Sequence, residues 1–350
     1  MSFKDILSQD HIVDPFKTAI SSGHLSHAYM FTGQKGTGKS LFAREFTKAL
    51  FCKSNKGDSC DTCNNCMRID NNNHPDIHWI ALDKKDKFIK IENIRNMQHY
   101  VNLSPVEADY KVFIVKEADR MNEESSNCLL KTLEEPAPNT IIILIANSLA
   151  SIKDTIKSRC QIMRFKPIPT TVIKEQLMNE FDTETKEAEW ISRFSCGSLG
   201  NAIELAQDKF YEKNDDIINR ISELNLEHNL GFAEEFVESY LSTGDSLEEK
   251  RQILKGILNC ILQYYRDLLI VKIRHTRSSA DEGDLGLFNA GNEDTLQAQS
   301  RLLTQEQITN IIDEILQAIK YIDYNLNINL LIENIFTRIA VLKSTVALSK

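Results

Sequence analysis

Gly33-Gln34-Lys35-Gly36-Thr37-Gly38-Lys39-Ser40 fits the phosphate-loop pattern G-x-x-x-x-G-K-[ST]. It follows directly on the apolar run Ala28–Thr32 and precedes a helical stretch over residues 41–50, which is the strand–loop–helix setting the pattern requires. In that setting Gly33, Gly36 and Gly38 let backbone N–H groups converge on phosphate oxygens, beside Thr37, and the helix N-terminus adds a favourable dipole. Lys39 is expected to reach the β and γ phosphates, and the Ser40 hydroxyl to ligate Mg²⁺. The loop therefore predicts an α/β sheet with a site for ATP or ADP.

Short apolar runs at Ala28–Thr32, 77–82, Lys111–Val115, 141–146 and 162–165 alternate with helical patterns. Such runs predict buried parallel strands, and five suffice for a doubly wound domain. Before them, residues 1–22 read as helical, with apolar Ile6, Ile12, Val13, Phe16 and Ile20. The character changes at Lys166-Pro167-Ile168-Pro169, where two prolines mark a linker. Residues 170–208 read as short helices, and the chain is helical from Phe210 onward except for a polar loop at 274–298. Thr304-x-x-Gln307 is a capping box. It opens a helix striped by Ile308, Ile311, Ile312, Ile315 and Ile319, and a second stripe runs through Leu330, Leu331, Ile335 and Ile339. Both stripes read as helical core. The fold class is thus α/β plus all-α, with no internal repeat and no low-complexity segment.

The chain has 350 residues, a net charge of −9 and 42% hydrophobic residues. A protein that grips nucleic acid alone by neutralising phosphates is usually basic; this one is expected to meet DNA, if at all, through a local patch in a larger assembly. The first residues lack the layout of a signal peptide and no apolar run approaches the ~20 residues of a membrane span. A cytoplasmic protein without membrane contact is expected, where structural disulfides are uncommon. Of eight cysteines, Cys52, Cys60, Cys63 and Cys66 form C-x7-C-x2-C-x2-C. Four thiolates at that spacing suit a tetrahedral, structural Zn²⁺ with no position left for water. Cys128, Cys160, Cys196 and Cys260 are scattered and are expected to be buried.

A cysteine module just after the phosphate-loop helix is unusual. Two further stretches accompany it: Asn127-Cys128-Leu129-Leu130-Lys131-Thr132-Leu133-Glu134-Glu135-Pro136 and Ser158-Arg159-Cys160. With His27-Ala28-Tyr29 and His74-Pro75-Asp76, they resemble the bacterial DNA polymerase III clamp-loader family, the gamma/tau and delta-prime proteins, strongly over residues 1 to about 207 and more weakly beyond. The resemblance implies a RecA-like AAA+ domain with a parallel sheet over residues 1–167, with the zinc module at about 52–66. It further implies a small helical lid over 168–208 and a helical collar over 209–350. The implied partners are gamma/tau and delta subunits in a hetero-oligomeric ring, and, through the complex, the sliding clamp and primer-template DNA.

The departures from the family pattern decide the type. Hydrolysing members carry Asp-Glu after the third strand. Here Lys116 stands in place of the metal-binding Asp, where a cation repels Mg²⁺, while Glu117 keeps the water-activating position. In Gly197-Ser198-Leu199-Gly200-Asn201-Ala202 Gly200 replaces the sensor-2 arginine of the motor subunit. Ala146-Asn147-Ser148 matches sensor 1, with Asn147 its polar group. The Ser-Arg-Cys motif is intact, and in the family its arginine, here Arg159, acts in trans on nucleotide held by the neighbouring subunit. A chain that keeps the donated arginine and loses its own hydrolytic groups resembles the delta-prime branch, with its own ATPase activity expected to be weak or absent. A gamma/tau-type motor is the alternative, favoured by the complete loop and opposed by Lys116 and Gly200. A zinc-dependent DNA-binding module is opposed by the acidic charge.

Overall fold

The structure, a computed structural model, describes residues 2–55, 57–82, 86–226, 229–242, 246–276, 286–289, 293–322, 324 and 327–344. Two compact units are formed, Met1–Ala206 and Gln207–Lys350.

In the first unit the five apolar runs become five strands: β1 (Ala28–Thr32), β2 (Ile77–Ile80), β3 (Lys111–Val115), β4 (Thr140–Ala146) and β5 (Gln161–Arg164). All pairings are parallel and the spatial order is β2-β3-β4-β1-β5. Every residue of β1, β3 and β4 is buried, as expected where helices cover both faces of a parallel sheet. Alternation along β1 splits its side chains between two cores. Tyr29 and Phe31 join Phe16, Phe42, Phe46, Val112 and Ile143 on one face. Ala28 and Met30 join Ile94, Phe113, Leu129 and Leu144 on the other. The Phe16 ring sits edge-on to Phe46 at 4.8 Å and to Phe42 at 5.0 Å. Each such buried ring contributes roughly 2–3 kcal/mol in transfer free energy, and together they fix the helix after the phosphate loop against the sheet.

The helices of this unit are α1 (Asp10–Ser22), α2 (Lys39–Phe51), α3 (Asn64–Asp70), α4 (Ile91–Val101), α5 (Glu123–Glu134), α6 (Asp154–Lys157), α7 (Thr170–Glu180), α8 (Thr185–Phe194) and α9 (Leu199–Gln207). The expected single helix over 1–22 is broken. A short 3-10 turn, Phe3–Asp5, closes on itself when Ser2 and Asp5 cap each other, and Ile6 then extends the chain. Gln9, buried just before α1, does not cap that helix with its side chain. Instead its Nε2 donates to the Lys166 carbonyl at 2.8 Å and its Oε1 accepts from the Lys166 N–H at 3.1 Å. The start of the chain is thereby tied to the Pro167–Pro169 linker, whose Ile168 N–H donates to Gly197 O at 2.9 Å.

The second unit is helical among its described residues: α10 (Phe210–Glu223), α11 (Asn229–Leu241), α12 (Leu247–Thr276), α13 (Glu293–Leu302), α14 (Gln305–Ile322) and α15 (Ile328–Ser344). The Thr304 capping box forms as expected, with Gln307 N–H donating to Thr304 Oγ1 at 3.2 Å and Thr304 N–H to Gln307 Oε1 at 2.8 Å. Ile308, Ile311 and Ile315 are buried, while Ile312 and Ile319 are half-buried. The second stripe holds at Ile335 and Ile339, which are buried, and at half-buried Leu331, but not at Leu330. Leu330 is 63% exposed, and the buried face is Ile328, Ile332, Ile335, Phe336 and Ile339, the spacing that keeps a helix face turned inward. The loop expected over 274–298 is narrower. α12 continues to Thr276 and α13 begins at Glu293; residues 277–285 and 290–292 lie outside the described residues. Within it Leu287 is buried, and Asn289 donates through both its N–H and its Nδ2 to Asp267 at 2.9 Å. Of the scattered cysteines Cys260 is buried as expected and Cys128 and Cys160 are half-buried. Cys196 is exposed, at a helix end where its φ of 51° turns the chain toward Gly197. No described helix is long and apolar enough to cross a membrane.

Candidate functional site: a phosphate-loop cavity and a four-cysteine cluster

The phosphate loop joins β1 to α2, and the N-cap of α2 is Gly38 at φ 92°. A cavity of about 470 Å³ opens beside it, bordered by Gly36, Thr37, Gly38, Lys39 and Ser40, by Lys116, Glu117 and Asn147, and by Leu199 and Gly200. Gly33 packs outside the cavity against the end of β5. Thr37 is buried and donates through Oγ1 to Gln34 O at 2.8 Å. Lys39 Nζ donates to Gly33 O at 2.5 Å, Gln34 O at 2.6 Å and Asn147 Oδ1 at 3.1 Å. Burial pulls the Lys39 ammonium down to about 8, against the opposing pull of the Asp119 carboxylate. Asn147 is held in turn, its N–H donating to Asp119 Oδ1 at 3.2 Å. Asp119 was not singled out in the sequence, although it lies in the same Lys116–Asp119 stretch; the bend that follows β3 is what turns it back.

Lys116 directs its ammonium to the face of Trp79, 4.8 Å from the ring centroid. Glu117 adopts φ 51°, uncommon for a residue with a side chain, and its carboxylate pairs with Arg120 Nε at 3.3 Å. The segment Gly197–Gly200 meets the loop through two glycines. Gly200 N–H donates to Gly36 O at 3.1 Å. A Cβ on Gly36 would lie 2.1 Å from Ser198 Oγ, and one on Gly200 would lie 3.0 Å from Gly36 Cα. The contact exists because neither position carries a side chain. Arg159 does not border this cavity. It follows α6 and is 34% exposed, with Nη2 donating to Glu134 Oε1 at 2.5 Å and Nη1 to Thr155 O at 2.8 Å.

The second centre forms where α2 ends. Cys52 terminates α2, Cys63 precedes α3 and Cys66 lies within it. The four sulfurs of Cys52, Cys60, Cys63 and Cys66 all lie within 4.8 Å of one another, with Cys52 and Cys66 buried. Sulfurs bound at about 2.3 Å to a tetrahedral zinc lie about 3.8 Å apart, so the set fits such an ion with little adjustment. Hydrogen bonds from Thr62 and from the Cys63 N–H pull the Cys60 thiol down to about 5, while burial pushes the Cys66 thiol up. Sequence reading missed the ion cluster beneath. Lys48 is fully buried and pairs with Glu45 at 3.1 Å, Asp70 at 3.2 Å and also Asp61. It links α2, the Cys60 loop and α3. Burial opposes its charge, and the hydrogen bonds it donates to Asp61 and Glu45 overcome that opposition.

Sheet, loop and cavity define a phosphate-loop α/β protein. The family described as DNA polymerase III, delta subunit, matches residues 8–169. The DNA polymerase III subunit delta-prime of Bacillus subtilis is 31% identical over 93% of this chain and 94% of its own length. The subunit tau of Escherichia coli is 30% identical over 58% of this chain and 32% of its own length. A solved gamma subunit-related protein of Thermotoga maritima aligns over 95% of this chain and 99% of that chain at 17% identity and a TM-score of 0.49. The chain belongs to the DNA polymerase III delta-prime family of clamp-loader subunits, relatives of gamma and tau.

Proposed function

We propose that the chain serves its clamp-loader ring as a subunit that holds nucleotide, hydrolyses it poorly, and completes a neighbour's active site with Arg159. The observation that carries this reading is the surroundings of the loop. The cradle Gly33 to Ser40 is whole, yet the cation Lys116 borders the cavity where an acid would hold Mg²⁺, and Gly200 meets the loop where a motor carries arginine. Glu117 and Asn147 border the same cavity, so the water-activating and sensor-1 roles stay open to them. Phosphates would be held by the N–H groups of the loop and α2, and by Lys39 once it leaves the carbonyls of Gly33 and Gln34. Arg159 is a permanently charged fork that can take two phosphate oxygens.

On this reading residues 1–167 form a RecA-like AAA+ domain, 168–208 a lid, and 209–350 a collar that assembles with gamma/tau and delta subunits. Sliding clamp and primer-template DNA are met through the complex, in the cytoplasm. Cys52, Cys60, Cys63 and Cys66 hold a structural zinc, which would join three chain segments without taking part in chemistry. The test uses the reconstituted complex. Arg159→Ala should assemble normally and lower ATP turnover and clamp loading. The loss should be partial in the whole ring although fingers contribute on the order of 10³–10⁵ at one site. A complex with Arg159→Ala that turns over ATP at the normal rate refutes the trans role. Rapid steady turnover by the isolated chain refutes the non-motor reading.

A further inference from the structure

The stretch from Asn127 to Pro136 carries more polar residues than a core helix needs, and none of them borders the phosphate-loop cavity. Leu129 and Leu133 of this stretch are buried in the sheet core. Two of its polar residues reach instead to the segment that carries Arg159. Asn127 Oδ1 accepts from Lys153 Nζ at 3.1 Å, and Glu123 Oε1 of the same helix accepts from it at 3.2 Å. At the other end of α5, Glu134 Oε1 accepts from Arg159 Nη2 at 2.5 Å. The segment from 153 to 159 is therefore fastened to α5 at both ends.

The Arg159 guanidinium has five N–H donors. Nη1 donates to Thr155 O at 2.8 Å and Ser158 Oγ at 3.4 Å, and Nη2 donates once, to Glu134. Nε–H and the second Nη2–H have no partner among the described residues. We infer that Glu134 is a positioning residue for Arg159, orienting its guanidinium so that these remaining donors face a neighbouring subunit's nucleotide. The inference rests on the trans role proposed for Arg159. An arginine side chain has many rotamers, and a carboxylate that removes most of them before assembly leaves less ordering to be done at the interface. The pair is too exposed to matter much for folding, so its use lies in orientation.

The test is steady-state ATP turnover by the complete reconstituted complex with clamp and primed DNA. Glu134→Ala should lower kcat at the served site by on the order of tenfold, well short of the hundredfold that a 1 Å misplacement can cost. KM should stay unchanged, because the finger's contact strengthens only as charge develops. Glu134→Gln, which keeps an acceptor and loses the charge, should fall between wild type and Glu134→Ala. In the Arg159→Ala background Glu134→Ala should have no further effect, and the thermal midpoint of the free chain should not move. Wild-type kcat in Glu134→Ala, or losses that multiply in the double variant, would overturn the positioning role. Failure of the finger itself would show separately, as normal turnover in Arg159→Ala.

Discussion

The phosphate loop and the cysteine cluster sit at opposite ends of one helix, α2, and both carry complete motifs. Their surroundings differ. Around the cysteines the neighbourhood reinforces the motif: Lys48 and its carboxylates join the same three segments that the sulfurs join, and Asn65 Nδ2 donates to the last carbonyl of α2, Phe51 O, at 2.8 Å. Around the phosphate loop, on the reading proposed above, the neighbourhood contradicts the motif: the cation Lys116 borders the cavity, and Gly200 meets the loop at Gly36. A motif states what can bind. The residues that meet it from elsewhere in the fold state what can react.

The largest expected effect is on the reinforced side. Cys60→Ser with Cys63→Ser should reduce zinc from about one ion per chain to none, and lower unfolding stability by several kcal/mol, since metal binding free energy is folding free energy at such sites. Metal analysis and thermal unfolding measure both. If the doubly substituted chain keeps its melting point, the ion cluster around Lys48 alone holds the module and the contrast narrows.

On the contradicted side Lys39→Ala should weaken ADP binding by about 2 kcal/mol or more, as loss of a charged hydrogen-bond donor does, read by calorimetry. Lys116→Asp should make binding more dependent on Mg²⁺, by removing a cation and supplying a ligand; affinity that stays indifferent to Mg²⁺ would show that Lys116 is not what excludes the ion. Gly200→Arg should not simply restore a motor. Its Cβ would lie 3.0 Å from Gly36 Cα, so the segment around Gly200 must shift, at about 1–3 kcal/mol of stability. An unchanged melting point would mean that the glycine contact is dispensable.

Much of this was legible in the sequence because period and motif report local structure. All five strands fall within two residues of their apolar runs, since β1, β3 and β4 are buried on both faces and leave no polar alternation to misread. The cysteines were legible because metal spacing is local. What stayed hidden depends on long-range return of the chain. Asp119 and Asn147 lie 28 positions apart and Gly36 and Gly200 farther still, and no period marks such pairs. His74-Pro75-Asp76 carries no periodic signal and stands out in sequence only by its resemblance to the family. Its reason is that buried Asp76 accepts the N–H groups of Val106 at 2.6 Å, Glu107 at 2.8 Å and Ala108 at 2.9 Å, fastening the loop before β3. The one outward residue of the α15 stripe has another cause: Leu330 is apolar but exposed, and hydrophobicity alone cannot say which leucines a helix turns inward.

The smallest expected effect concerns pH. Lys39 must be charged to attract phosphate, yet burial pulls it down to about 8 in the free chain. Below that pH it is already protonated and binding takes up no proton. Above it the neutral amine predominates, and bound phosphate must draw a proton in as it raises the amine's affinity for one. ADP affinity should therefore be level from pH 6 to about 7.5 and fall above about 8, by no more than tenfold per pH unit for a single proton. Asp119 acts in the opposite direction to burial. Its charge raises Lys39 against the desolvation that lowers it, so Asp119→Asn should move the onset of the fall to lower pH. Calorimetry across pH 6–9.5 in buffers of differing ionisation enthalpy measures both the affinity and the proton taken up. A profile that stays flat to pH 9.5 would mean that Lys39 remains charged in its nest of carbonyls, and that Asp119 matters only for holding Asn147.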